Sequence, residues 1–191
     1  MGGDSMSGHV ETPEGGNKKV ALLIAVLALM LALAEIGGKQ AENEAVAKNI
    51  DASNLWAFFQ AKTIRGTVVR TAAEAMELDL ADTTDAPARE RMQKRIEGWK
   101  ATAARYDSEP ETNEGRKELA GRAKAAEQAR DDHKARNENF EIASGLLQIG
   151  IVVASASIIT GVALLALVGG GLGAVALGFM GLALFAPHLL F

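Results

Sequence analysis

The sequence contains no cysteine. That excludes disulfides, thiolate nucleophiles and cysteine-ligated metal centres. Proline occurs four times, so long helices meet few breakers. Histidine occurs three times, at His9, His133 and His188, with no pair at metal-ligand spacing. No Glu-x-x-His pair is present to build a di-iron bundle. The net charge is −4, so the chain has no basic excess for a nucleic acid. No catalytic constellation, metal site or cofactor motif is found, and we expect no enzymatic activity. The gap that matters most is positional. Residues 142–191 contain no Asp, Glu, Lys or Arg at all. A tail of that length without one formal charge reads as membrane-embedded.

The charge is instead crowded into the middle. Residues 37–141 carry 18 of the 20 Lys and Arg and 20 of the 24 Asp and Glu. Residues 1–17 are polar and Gly-rich and read as a mobile tail. The first apolar run, in residues 18–38, is VALLIAVLALMLALAEI from Val20 to Ile36, bracketed by Lys19 and Lys39. At about 1.5 Å per residue the interval between the lysines measures roughly 29 Å, close to a bilayer core. Ala32-Leu33-Ala34 resembles a signal-peptide cleavage site, but we read the run as a retained anchor. Glu35, near its end, reads as an interfacial carboxylate, with a buried proton site as the alternative, and Gln148 is a second candidate for an intramembrane polar site.

Two further spans are expected at residues 146–168 and 172–191. Gly169-Gly170-Gly171 between them predicts a tight hairpin turn. Small residues recur at helical-seam steps: Gly150, Ala154, Ser157 and Gly161 in one span, Ala174, Gly178 and Gly181 in the next. Such spacing lets backbones approach closely, within the hairpin or between subunits. Ser155 and Ser157 are expected to bond backbone or a neighbouring helix.

The middle, residues 39–141, predicts a helical, coiled-coil-like stalk of about three helices. Its first segment has a stripe of Ile50, Asn54, Ala57, Ala61, Ile64, Val68, Thr71, Ala75 and Leu78, in steps of four and three. Asn54 is the polar member that would fix register. ADTTDAPA then breaks the chain, with Asp85 able to cap the next helix. Its seam is Met92, Ile96, Trp99, Ala103 and Tyr106. Ser108 and Glu111 fit a capping box for a third helix, whose inner face is Leu119, Ala123 and Ala126.

The stretch NLWAFFQAK, Asn54 to Lys62, is apolar nearly all round the helix axis at Leu55, Trp56, Ala57, Phe58 and Phe59. One antiparallel neighbour cannot cover every side, so packing against several helices, including other subunits, is expected. The rival expectation is a segment at the headgroup level, with Gly37-Gly38 as the bend.

KKVALLIAVLALMLAL followed by NLWAFFQAKTIR, Asn54 to Arg65, resembles a bacterial family of small membrane proteins known as a domain of unknown function. The resemblance covers roughly residues 18–190. It implies an N-terminal span, an Asn-x-Trp-Ala-aromatic-aromatic-Gln-Ala-Lys-x-Ile-Arg segment, a charged helical middle and a C-terminal transmembrane hairpin. It also implies a multi-pass protein of the bacterial inner membrane, with no established activity. Many relatives have a His-rich tail, where this chain has only His9.

The expectation is therefore an all-α membrane protein with three transmembrane helices and an extramembrane stalk between the first two. Its partners would be the lipid bilayer and copies of itself, with a larger membrane complex compatible and no nucleic acid. The expected role is a self-associating scaffold or accessory protein. The alternative is a channel or transporter subunit with Glu35, Gln148, Ser157 or Thr160 along a pathway. The basic residues flanking the spans do not decide which side holds the stalk.

Overall fold

A computed structural model describes residues 14–190. Four α-helices follow one another: α1, Glu14–Asp82; α2, Ala86–Asp107; α3, Arg116–Thr160; and α4, Ala163–Phe185. A single 3-10 turn, Pro187–Leu189, closes the described chain. Among the described residues there is no strand. Three helices, α1, α3 and α4, contain stretches long and apolar enough to cross a membrane. Most of the tail expected at residues 1–17 lies outside the described residues, while residues 14–17 already belong to α1. α1 also passes through Gly37-Gly38 without leaving the helical conformation.

Contacts divide the chain into two units. One is apolar and combines the residues up to Glu42 with those from Lys134 onward; the other is polar and spans Asn43–His133.

In the apolar unit the core consists of Leu27 and Ala34 from α1, Phe140, Ala143 and Leu147 from α3, and Ala176 and Ala183 from α4. Around it the helices expose Leu22, Leu29, Leu33, Val152, Leu164 and Leu167. A core rich in alanine, with large apolar side chains left on the outside, is unlike a water-soluble bundle.

The turn between α3 and α4 is not where the glycine triplet suggests. Gly169, Gly170 and Gly171 are inside α4. The reversal occurs at Gly161 and Val162, and Gly161 has φ of +71°. That left-handed conformation strains any residue with a Cβ, which is why the chain turns at this glycine. The Ser157 hydroxyl donates to the Val162 carbonyl at 2.9 Å and steadies the reversal. Gly161 is thus a turn residue, not a seam residue. Gly169 has a different task. A Cβ built on it would lie 2.6 Å from the Gly150 carbonyl oxygen and 3.0 Å from the Ala154 Cβ. The triplet supplies close backbone approach between α3 and α4.

Gly150, Ala154 and Ser157 are all buried along this contact. The α4 residues that share the buried face are Gly169, Gly173, Ala176 and Ala183, again at steps near four and three. Ala174 and Gly178 are exposed and Gly181 is half-buried, so the expected α4 stripe does not lie on the packing face. Starting α4 at Ala163 instead of residue 172 changes which face meets α3. Near the other end of the hairpin, the Asn139 side-chain amide donates to the Pro187 carbonyl at 3.0 Å and to the Ala135 carbonyl at 2.8 Å. Those two bonds fasten the 3-10 turn to α3.

In the polar unit α2 lies antiparallel along the distal part of α1. Asp85 caps α2 by accepting from the Ala88 backbone N–H at 3.0 Å, as an N-cap aspartate does. Arg89 donates to the carbonyls of Leu80 and Thr83, closing the α1–α2 connection. The inner face of α2 is Met92, Ile96, Trp99, Ala103 and Tyr106, with Ile96 and Ala103 buried. Those two are thus buried within the chain, and Met92, Trp99 and Tyr106 are half-buried beside them.

α3 then continues along α1 where α2 leaves off. It does not begin with a capping box at Ser108 and Glu111. Ser108 instead terminates α2, and its hydroxyl donates to Glu118 at 2.7 Å. Glu118 also accepts from the Glu109 N–H at 3.1 Å, so the carboxylate three residues inside α3 holds the preceding loop.

Candidate functional site

Two features of the polar unit stand out. The first is a buried cation cluster beneath the α2–α3 loop. The second is the opposite, outward face of α1.

The cluster centres on Lys62, which is 7% exposed although it carries a charge. A buried ammonium needs partners, because desolvation costs several kcal/mol. Lys62 has four. Its Nζ lies 5.4 Å from the Phe58 ring centroid and 5.3 Å from that of Tyr106. Its ion-pair partners are Glu109 at 3.9 Å and Glu114 at 3.8 Å. One helical turn away, Arg116 stacks over Phe59 at 5.2 Å and pairs with Asp107 at 3.0 Å. Asp107 also takes a hydrogen bond from Arg70. The Trp56 indole N–H donates to Glu127 at 2.8 Å, and its ring meets Phe59 edge-to-face at 5.4 Å.

The aromatic stretch is therefore covered by its own chain. Trp56 and Phe59 are half-buried against α3 and its preceding loop, and Phe58 lies at the edge, 37% exposed. Helices of the same chain supply this partial cover, where the sequence suggested several helices including those of other subunits. The physical reason is charge: Arg116, Lys62 and Glu127 cover ring faces and edges that apolar neighbours would otherwise have to cover. The cluster's chemistry is structural. Every cation in it faces a carboxylate or a ring.

The carboxylates at this junction are held in the charged form. The Arg70 hydrogen bond, aided by the charges of Arg70 and Arg116, keeps Asp107 below the usual carboxylate range, with partial burial working in the opposite direction. The Arg105 hydrogen bond does the same for Glu109, and the Ser108 hydroxyl does so for Glu118. A depressed folded-state value contributes stability above the unfolded value, and that contribution is lost as pH falls through the folded one. Asp107→Asn is expected to destabilise the protein by about 1 kcal/mol at pH 7, a magnitude set by partial exposure. The difference between variant and parent should shrink as pH falls below about 4, where the unfolded chain's aspartate takes up its proton, and vanish once the folded carboxylate protonates at lower pH. Thermal melts of both proteins at pH 7 and pH 3 test this, and a gap of equal size at both values refutes it.

The second feature follows from how α2 and α3 succeed one another along α1. Both lie on one side. The covered side of α1 includes Ala52, Leu55, Phe59, Lys62, Gly66, Val69 and Ala73, none of them exposed. At about 100° per residue, the stripe of Ile50, Ala57, Ile64, Val68, Ala75 and Leu78 lies on the far side of the helix. It is open. Ile50 is 54% exposed, Ile64 65%, Val68 62% and Leu78 73%. Asn54, Ala57, Thr71 and Ala75 are exposed with them, and Ala61 is half-buried. No Asp, Glu, Lys or Arg interrupts these nine stripe positions.

Beside this face, a cleft of about 650 Å³ opens between α1 and α3, lined by Lys48, Asp51, Asn54, Leu55, Phe58 and Arg122 among others. A smaller cleft of about 190 Å³ in the apolar unit has Glu35, Lys39, Glu42, Asn137, Phe140 and Glu141 in its wall. Gln148 is exposed elsewhere on α3 and does not line it. Among the described residues no group of three or more His, Asp or Glu is placed to hold a metal ion.

Residues 16–186 match the model of a family described as a domain of unknown function, DUF4337, and the chain belongs to that family. No curated protein and no solved structure matches the chain.

Proposed function

We propose that this member of the DUF4337 family is a three-span protein of the bacterial inner membrane that assembles with copies of itself, acting as a scaffold or accessory subunit and not as a catalyst. The apolar surfaces of α1, α3 and α4 would face lipid, and the polar unit between the first two spans would stand outside the bilayer. The segment Asn54 to Arg65 belongs to that polar unit, where its Trp, Phe and Lys residues hold α3 and the α2–α3 loop against α1.

The observation that carries the proposal is the open apolar stripe on α1. It lies in the charged middle of the chain, beyond the span, so lipid is not its natural cover. Fully burying a large aliphatic side chain contributes about 1.5–3 kcal/mol. Ile50, Ile64, Val68 and Leu78 are each more than half exposed, so burying the remainder contributes roughly 1–1.5 kcal/mol apiece. Across two chains that is roughly 8–12 kcal/mol. Losing translational and rotational freedom costs about 4–15 kcal/mol. The two terms are comparable in free solution. Confinement to one bilayer removes part of the cost, because anchored chains are already concentrated and oriented.

The experiment is a mass measurement. In mild detergent or lipid nanodiscs, light scattering coupled to size exclusion is expected to give a defined multiple of the chain mass. A particle holding one chain would refute self-association.

A further inference from the structure

We infer that α1 pairs with a second copy of itself in parallel and in register, as a two-stranded coiled coil along the open stripe, with Asn54 opposite its counterpart. The inference rests on the proposed self-association and specifies its geometry.

The stripe repeats at a strict seven: Ile50, Ala57, Ile64, Thr71 and Leu78. Asn54, Ala61, Val68 and Ala75 form the second row, four residues after each of the first four. In heptad terms the first row holds the d positions and the second the a positions. A straight helix drifts by about 20° per heptad from a seven-residue repeat. Over four heptads a partner lacking the same repeat would rotate out of contact. An identical helix supercoiled with this one stays on the stripe throughout.

Composition limits the geometry further. Ala57, Ala61 and Ala75 leave room for a close second backbone. Asn54 is the only amide among the nine positions. At an a position, one asparagine favours a pair of strands and fixes their register. Direction follows from the anchor. Each copy would leave the same bilayer face through the same apolar run, a few residues before Val46. Both helices then point the same way, and Ile50 meets Ile50.

The cysteine-free chain permits a direct test in the full-length protein reconstituted in lipid vesicles. Ile50→Cys, Ile64→Cys and Leu78→Cys are made singly and oxidised. Each replaces an exposed side chain, so the chain's own packing is preserved. Each is expected to give covalent dimers at roughly tenfold the yield of Lys124→Cys or Gln93→Cys, because a disulfide forms only where Cα atoms come within about 7 Å. Lys124 and Gln93 are exposed on other helices.

If the particle contains several chains but the stripe cysteines stay at the control level, the paired geometry is wrong and self-association survives. If Ile50→Cys links only to Leu78→Cys in a mixture, the helices run antiparallel and the inference fails. A particle of more than two chains overturns the two-stranded geometry, and a particle of one chain removes both proposals.

Discussion

Replacing Ile64 and Val68 together by glutamate is expected to reduce the assembled particle to single chains without unfolding it. Both side chains are exposed in the chain, at 65% and 62%. Surface substitutions of this kind usually change folding stability by about 0.5 kcal/mol or less. Helical content and melting temperature of the isolated chain should therefore hold. Association is different. Each pair of strands loses four buried aliphatic groups at roughly 1–1.5 kcal/mol apiece. It also gains four carboxylates facing one another. The sum is at least about 4–6 kcal/mol, or a weakening of a thousandfold or more. Light scattering of parent and variant in the same detergent reads the outcome. An unchanged particle mass would show that copies meet elsewhere.

The second large effect is expected in the apolar unit. Gly169→Val should destabilise the packing of α3 on α4 by about 2–4 kcal/mol, at or above the usual overpacking cost. The nearest atoms to the new Cβ would be the Gly150 carbonyl oxygen and Ala154. The carbonyl belongs to a helix backbone and cannot step aside, so the two helices must separate. Two residues on, Gly171→Val meets nothing within 4 Å of its Cβ. It should be tolerated to within about 1 kcal/mol, the scale of helix propensity. A thermal or denaturant titration in detergent compares the two. If the triplet were a turn, both substitutions would be damaging, so equal sensitivity would contradict the helix assigned to these residues.

Much of the architecture is legible in the sequence because it depends on composition over long windows. The apolar runs in α1, α3 and α4 and the break at ADTTDAPA are of that kind. Asp85 as a cap follows from residue type alone. What the sequence hides is which of two heptad-spaced stripes on α1 the chain covers for itself. The more apolar one, Ile50 to Leu78, is open. The covered one contains Lys62 and Gly66, which look like surface and breaker until Phe58, Tyr106 and Glu109 are seen around the lysine. Those neighbours lie more than forty residues away in part, and no local pattern marks them. The hairpin turn is concealed for a related reason. Three consecutive glycines announce flexibility, but a glycine can be required by a neighbouring backbone as readily as by its own dihedral angles. Only Gly161 has the left-handed φ among the glycines of the hairpin. For Glu35 and Gln148 the sequence offers polarity in an apolar run and nothing about distance between them.

The reversal at Gly161 and Val162 leaves only two uncharged residues between α3 and α4. If the three apolar helices cross a bilayer as proposed, the side reached by that turn would receive only this uncharged pair between α3 and α4. Residues 37–141, which hold 18 of the 20 Lys and Arg and 20 of the 24 Asp and Glu, would then stand on the opposite side. A soluble partner that recognises this protein by charge would therefore have to approach from that one side.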